Sequence, residues 1–223
     1  MARIRDSKGR SDENSGYTRL IGNRDLGQLL SQVQATVIRS GNELEKILQT
    51  YTRHAIVSEV ELTGPASSHQ DVTEIVFDPQ LKFTDRQAIR ADILITNHKA
   101  QTCQIIELKD GDTFDTKKAS GELESLKRFA AEISRTTGYV TTYHFCSFNQ
   151  PDKMAIIRGA KGRFSLEEVM TGNELCELLG IDFQTIVEYR VLEQQENLSY
   201  FLDRLVAIPE IQEGLTARLS VDM

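Results

Sequence analysis

The run Arg90-Ala91-Asp92-Ile93-Leu94-Ile95 is followed by Ile106-Glu107-Leu108-Lys109, with fourteen residues between Asp92 and Glu107. Side chains alternate across a strand, so Glu107 and Lys109 project from one face while Ile106 and Leu108 enter the core on the other. A charged pair emerging from an otherwise apolar strand is unusual. Two short strands and a turn fill the interval, and the resulting hairpin sets Asp92 beside Glu107 on the neighbouring strand. Two carboxylates so placed repel each other and draw in a divalent cation. Carboxylate oxygens suit hard Mg2+, which keeps waters as its remaining ligands. The Leu108 backbone carbonyl is a further candidate ligand. A lysine beside that metal can orient or deprotonate a water, or steady the charge of a pentavalent phosphorus. The competing reading of the three residues is a solvated face with a surface ion pair.

Several elements must hold these residues. Leu26, Leu29, Leu30, Val33 and Val37 recur at helical spacing, and Leu44, Ile47, Leu48 and Tyr51 continue the pattern. Ser40-Gly41-Asn42 predicts a break between two helices. Strands are expected at Ile75–Phe77, ending at Asp78-Pro79, at Ile93–Ile95 and at Gln104–Lys109, with a turn at Asn97-His98-Lys99. Residues 116–137 read as a helix with the stripe Leu123, Leu126, Phe129, Ala130 and Ile133. Residues 139–148 are a strand rich in aromatic and β-branched residues, and 154–157 a further short strand. Beyond Ser165 the pattern is helical. One helix runs over 166–179 to a C-cap at Gly180, and a second starts at Asp182 and reaches about Val206. The expectation is an α/β fold, a mixed central β-sheet flanked by helices, with extra N- and C-terminal helices.

In this setting the residues resemble the PD-(D/E)xK nuclease superfamily, and within it the type II restriction endonucleases. Asp92 corresponds to the acidic residue of the second core strand, and Glu107 and Lys109 to the Glu-x-Lys of the third. Ala91 stands where the family usually has proline. Asp78 is a rival aspartate, but it precedes Pro79 and is far from Glu107 in sequence. Family members often carry an acidic residue on a preceding helix, which Glu45 offers. The resemblance spans roughly residues 41–157 and implies a restriction-endonuclease-like core. It implies a Mg2+-dependent enzyme that hydrolyses phosphodiester bonds at a specific site in double-stranded DNA, without a nucleotide cofactor.

Other residues are candidates for the DNA itself. Lys117 and Lys118 follow a polar loop and start a helix, where amides and cations suit a phosphate. Arg158, Lys161 and Arg163 lie in a glycine-bearing loop that lets backbone approach DNA, and arginine can read guanine. Residues 1–23 read as a mobile basic arm whose Arg10, with Arg3, Arg5 and Lys8, can follow the phosphate backbone. Each has an ordinary alternative as a solubilising charge.

Composition bounds the rest. A chain of 223 residues predicts one domain, 24–223, with a core over about 41–160 and a helical part at 166–223. With 39% hydrophobic and 26% charged residues it is a globular composition, and no apolar run is long enough for a membrane span. MARIRDSKGR has no apolar segment of the secretory type, so a cytoplasmic protein is expected. Cys103, Cys146 and Cys176 form no CxxC pair, which excludes a zinc ribbon and a thioredoxin-like site. The four histidines have no zinc-ligand spacing, and neither a P-loop nor a GxSxG elbow occurs. Net charge is −7 overall, but −9 over residues 166–223 and +3 over both 1–24 and 151–165, so bulk charge does not drive DNA binding while local basic faces can. One Asp–Glu–Lys set cuts one strand, so cleavage of both strands predicts a homodimer. A repair or junction-resolving nuclease of the same superfamily, or a catalytically silent DNA-binding domain, remains open at the level of sequence.

Overall fold

The computed structural model describes residues 2–10, 15–58, 73–81, 88–111 and 116–220, without the side chains of Asn42 and residues 116–119. The chain forms two compact units, one of residues 1–44 and 184–223, the other of residues 45–183.

The second unit holds a six-stranded mixed sheet. Its strands are β1 (Ala55–Ile56), β2 (Thr73–Phe77), β5 (Ile93–Asn97), β6 (Thr102–Lys109), β7 (Val140–Ser147) and β8 (Val169–Thr171), in the spatial order β1-β2-β5-β6-β7-β8. The two pairings β2–β5 and β5–β6 are antiparallel, while β1–β2, β6–β7 and β7–β8 are parallel. A small ribbon of β3 (Gln80–Leu81) and β4 (Ile89–Arg90) lies outside that sheet. Helix α3 (Thr116–Thr137) makes the parallel crossover from β6 to β7. Its apolar stripe, Leu126, Phe129, Ala130 and Ile133, packs with Leu94, Cys103, Ile105 and Phe145 from one sheet face. The expected α/β architecture is therefore present, and the strands at 75–77, 93–95, 104–109 and 139–148 and the helix at 116–137 are all found.

Three expected elements are different. Helix α2 (Arg24–Tyr51) runs unbroken through Ser40-Gly41-Asn42. A helical glycine costs only about 1 kcal/mol, and burial of Leu44, Ile47 and Leu48 just beyond it outweighs that. Ser40 turns its hydroxyl back onto the Val37 carbonyl at 2.7 Å and stays within the helix. Residues 154–157 are not a strand but part of α4 (Lys153–Gly159), started by Asp152, whose side chain accepts from the Met154 amide. A short apolar run does not distinguish strand from helix, and here Ile156 and Ala160, four apart, enter the core together. Residues 166–179 are not one helix. They hold β8 and then α5 (Gly172–Leu178), joined by a capping box between Thr171 and Glu174. Gly172 sits tightly there, since a Cβ on it would lie 2.2 Å from the Phe148 carbonyl oxygen.

The first unit contains residues 2–10, α1 (Gly16–Ile21), most of α2, α6 (Phe183–Val206) beyond its first residue, and α7 (Pro209–Leu219). Where the sequence predicts a mobile arm over residues 1–23, the structure has residues 2–10 laid against α2 and α6. Ala2 and Ile4 are buried, and the Ile4 amide donates to Asn197 at 2.8 Å. Arg3 pairs with Glu193 and Glu196, Arg5 with Glu196, and the Arg10 amide donates to the Ser31 hydroxyl. No described helix is long and apolar enough to cross a membrane.

Candidate active site

The β5–β6 hairpin carries the expected constellation. Ile93 pairs with Ile106, which leaves Asp92 and Glu107 as the next positions outward on adjacent strands. The Asp92 amide donates to the Ile106 carbonyl at 3.2 Å, and the Leu108 amide donates to Asp92 Oδ2 at 2.5 Å. Backbone bonds thus hold the aspartate by main chain and side chain. Glu107 and Lys109 leave the same face of β6, and Lys109 Nζ meets Glu107 Oε1 at 2.5 Å. Ile106 and Leu108 are buried on the other side of the strand, as strand alternation predicts.

The structure adds residues that sequence reasoning did not select. Lys109 Nζ also contacts Glu122 Oε1 of α3 at 3.1 Å. Asp78 is drawn in by register: Phe77 pairs with Ile93, and the Asp78 amide donates to the Asp92 carbonyl at 2.8 Å. Its distance in sequence from Glu107 is cancelled by the antiparallel β2–β5 pairing. Ala91, in place of the usual proline, donates its amide to the Pro79 carbonyl at 3.3 Å, a bond that a proline lacks the hydrogen to make. A cleft of about 950 Å³ opens over these groups, lined by Asp78, Arg90, Asp92, Glu107, Glu122 and Arg128 among others.

The electrostatics of the cleft are dominated by the burial of its carboxylates. Burial pushes the Asp92 carboxyl up to about 6, against the opposing pull of the Leu108 amide and Lys109. Burial, and then the neighbouring Asp92, push Glu107 up to about 7. Glu45 is raised by burial and by Asp78 and Glu107, which brings this α2 carboxylate within electrostatic reach of the site. Burial alone would lower the Lys109 ammonium, but Glu107, Glu122 and Asp92 outweigh it and raise its pKa. Lys109 is therefore held as a cation among carboxylates.

Of the remaining candidates, Lys117 and Lys118 fall in the first turn of α3, and their side chains lie outside the described residues. Arg158 is not in a loop but in α4, where it pairs with Asp152 at 3.3 Å. Lys161 and Gly162 are successive left-handed residues in the turn that follows, and Arg163 is exposed beyond them. None of these three lines the cleft.

A hairpin-borne acidic cleft on a six-stranded mixed sheet flanked by helices is a restriction-endonuclease-like arrangement. The chain is 42% identical over 223 residues to the type II restriction enzyme HhaII of Haemophilus parahaemolyticus, in an alignment covering 96% of this chain and 97% of that protein. No protein-family model matches the chain. With such identity along nearly the whole of both chains, the protein belongs to the type II restriction enzymes, which are sequence-specific deoxyribonucleases.

Proposed function

We propose that the protein cuts double-stranded DNA as a Mg2+-dependent nuclease of the PD-(D/E)xK type, with Asp92, Glu107 and Lys109 as its catalytic set. The observation that carries this is the meeting of Asp92 and Glu107 across the β5–β6 hairpin with Lys109 against Glu107.

The donor set fits the metal. Among the described residues no group of three His, Cys, Asp or Glu stands ready to hold an ion. Magnesium does not need one, because it binds through one or two carboxylates and completes its shell with waters and substrate phosphate oxygens. The Lys109 cation offsets only part of what raises the Asp92 and Glu107 carboxyls, so further positive charge is needed to hold both ionised. Asp92, Glu107 and the Leu108 carbonyl would hold a divalent cation that supplies that charge. When bound, it polarises the phosphoryl oxygens and makes water a better nucleophile.

The chain's own residues do the rest. Water adds to phosphorus as one P–O ester bond breaks, leaving a phosphate on one fragment and a hydroxyl on the other. Lys109, held protonated by its three carboxylate neighbours, acts as a fixed cation facing the charge that grows on the phosphoryl group. That favours charge stabilisation and water orientation over proton abstraction. Asp92 is held in place by the Leu108 amide, so its position does not depend on a bound ligand. Glu45, within electrostatic reach of Asp78 and Glu107, serves as an auxiliary carboxylate. Lys117, Lys118, Arg158, Lys161, Arg163 and Arg10 remain candidate phosphate contacts, and two protein copies supply the two strand cuts.

Incubation with phage DNA, with Mg2+ or with EDTA, tests the reading. Discrete fragments in Mg2+ and intact DNA in EDTA are expected. Asp92→Ala and Glu107→Ala are each expected to abolish cleavage while melting cooperatively. Wild-type turnover in either variant would remove the site assignment.

A further inference from the structure

The cleft has a chemical problem that its carboxylates do not solve. A phosphodiester must enter a space lined by Asp78, Asp92, Glu107 and Glu122, all of them acidic. Lys109 is already engaged by two of the four. A polyanion approaches such a floor only where cations stand beside it.

Two arginines line the same cleft. Arg90 lies on β4 and Arg128 on α3, and both are exposed. Glu122, Ser125 and Arg128 follow one another at three-residue spacing along α3, so one edge of that helix presents all three to the cleft. Five other described arginines are spent on carboxylates: Arg3 on Glu193 and Glu196, Arg5 on Glu196, Arg39 on Glu43, Arg135 on Glu132 and Arg158 on Asp152. Arg90 and Arg128, by contrast, make no ion pair with any carboxylate among the described residues. This holds even though four carboxylates line the same cleft.

We propose that Arg90 and Arg128 bind the DNA backbone at the cleft, one guanidinium from each wall, gripping phosphates that flank the bond to be cut. A guanidinium offers a planar fork of donors that matches two phosphate oxygens, and it stays charged at any pH the enzyme meets. Contacts of this kind are blind to sequence: they set the register and depth of the strand in the cleft. The inference rests on the reading of this cleft as the nuclease site.

The test is the salt dependence of binding, measured on an Asp92→Ala background in EDTA so that no DNA is cut. Each protein is titrated by fluorescence anisotropy against a labelled duplex of arbitrary sequence, between about 50 and 200 mM salt. Arg90→Ala and Arg128→Ala are each expected to weaken binding about tenfold at the lower salt and to reduce the slope of log K against log salt by about one. The double variant should lose about two from the slope, and Arg→Lys at either site should retain most of it. Arg135→Ala, on the same helix but paired with Glu132, is the control and should match the parent. Slopes and affinities equal to the parent in both arginine variants, with unchanged melting temperature, would overturn the proposal. Failure of the underlying reading is seen separately: an Asp92→Ala parent that still cuts DNA in Mg2+ removes the cleft as the active site, whatever the slopes do.

Discussion

At the scale of single residues the burial of Asp92 and Glu107 ties the proposed metal site to the stability of the fold. Their carboxyls are raised by burial to about 6 and about 7, above ordinary values of 3.8 and 4.5. Between pH ~4 and ~7 the folded protein then binds more protons than the unfolded chain. These two carboxylates therefore make the stability of the metal-free protein fall as pH rises through that window, by a few kcal/mol for the pair at most, and this contribution levels off above it. Thermal melts from pH 4 to 8 in EDTA should show this decline, and Asp92→Asn with Glu107→Gln should flatten it. A double variant with the wild-type slope would contradict the assigned cause. Magnesium should raise the melting temperature more at pH 8 than at pH 5, because protons and metal compete for the same oxygens. Cleavage should correspondingly increase between pH 5 and 8.

Lys109 carries a second prediction at this scale. It is shared between Glu107 and Glu122, at 2.5 and 3.1 Å. Were Glu107 to bind the proposed cation, Glu122 would be the carboxylate left to hold Nζ in place. Lys109→Ala should lower kcat at least about a hundredfold with little change in DNA affinity, since the role proposed for it belongs to the transition state. Glu122→Gln should lower kcat about tenfold with DNA affinity unchanged, and Glu122→Asp should recover part of the loss. Single-turnover cleavage alongside equilibrium binding separates the two quantities. An altered Kd with an unaltered kcat in Glu122→Gln would make Glu122 a binding residue and not a positioning one.

At the scale of elements, Gly172 offers a clean test of how the sheet edge is built. The junction of β8 and α5 brings its Cα so near the Phe148 carbonyl that an added Cβ would stand 2.2 Å from the oxygen. Gly172→Ala should cost about 1–3 kcal/mol in urea unfolding, because backbone on both sides must give way. A variant as stable as the parent would show that the junction relaxes freely. This junction also shows why part of the fold escapes a sequence reading. Thr171 and Glu174 are a capping box legible in the letters, yet the apolar residues around them, from Leu166 to Leu179, suggest one long helix. The three strand residues of β8 are too few to show a period. The hairpin was legible because apolar alternation and a turn constrain it locally. The juxtaposition of Asp92 with Glu107 and Lys109 follows from that hairpin. Asp78 and Glu122 do not, since one needs the β2–β5 register and the other the packing of α3 on the sheet. Both are long-range facts that no local spacing encodes.

At the scale of the whole molecule the question is how a chain with a single proposed Asp–Glu–Lys set makes two cuts. An isologous pair of chains presents two equivalent sites to the two strands of a palindrome, and this is the simplest solution. The helices of the first unit offer a surface for it. On α6, Val191, Leu198, Leu202 and Val206 are all exposed, by 44, 59, 47 and 49%, and they recur at seven- and four-residue intervals along one stripe. Leu215 and Leu219 of α7 are exposed at four-residue spacing as well. Ile186, by contrast, is fully buried, while Phe183, Val187, Phe201 and Leu205 are half-buried, so the expected division of α6 between core and surface is present. Contiguous apolar stripes of this sort on soluble proteins commonly mark contacts with another chain. Residues 166–223 carry a net charge of −9, which disfavours a polyanion here and leaves a second protein copy as the better partner. Light scattering at micromolar concentration should give a dimer mass, and Leu198→Glu with Leu202→Glu should shift it toward the monomer. The same variant should nick supercoiled DNA while linearising it slowly, since each remaining cleft cuts one strand. A monomer mass for the parent with and without DNA, together with double-strand cleavage first order in protein, would refute the dimer. A dimer undisturbed by the two glutamates would move the interface elsewhere on the chain, with the exposed Val37 and Ile38 of α2 as the next surface to alter.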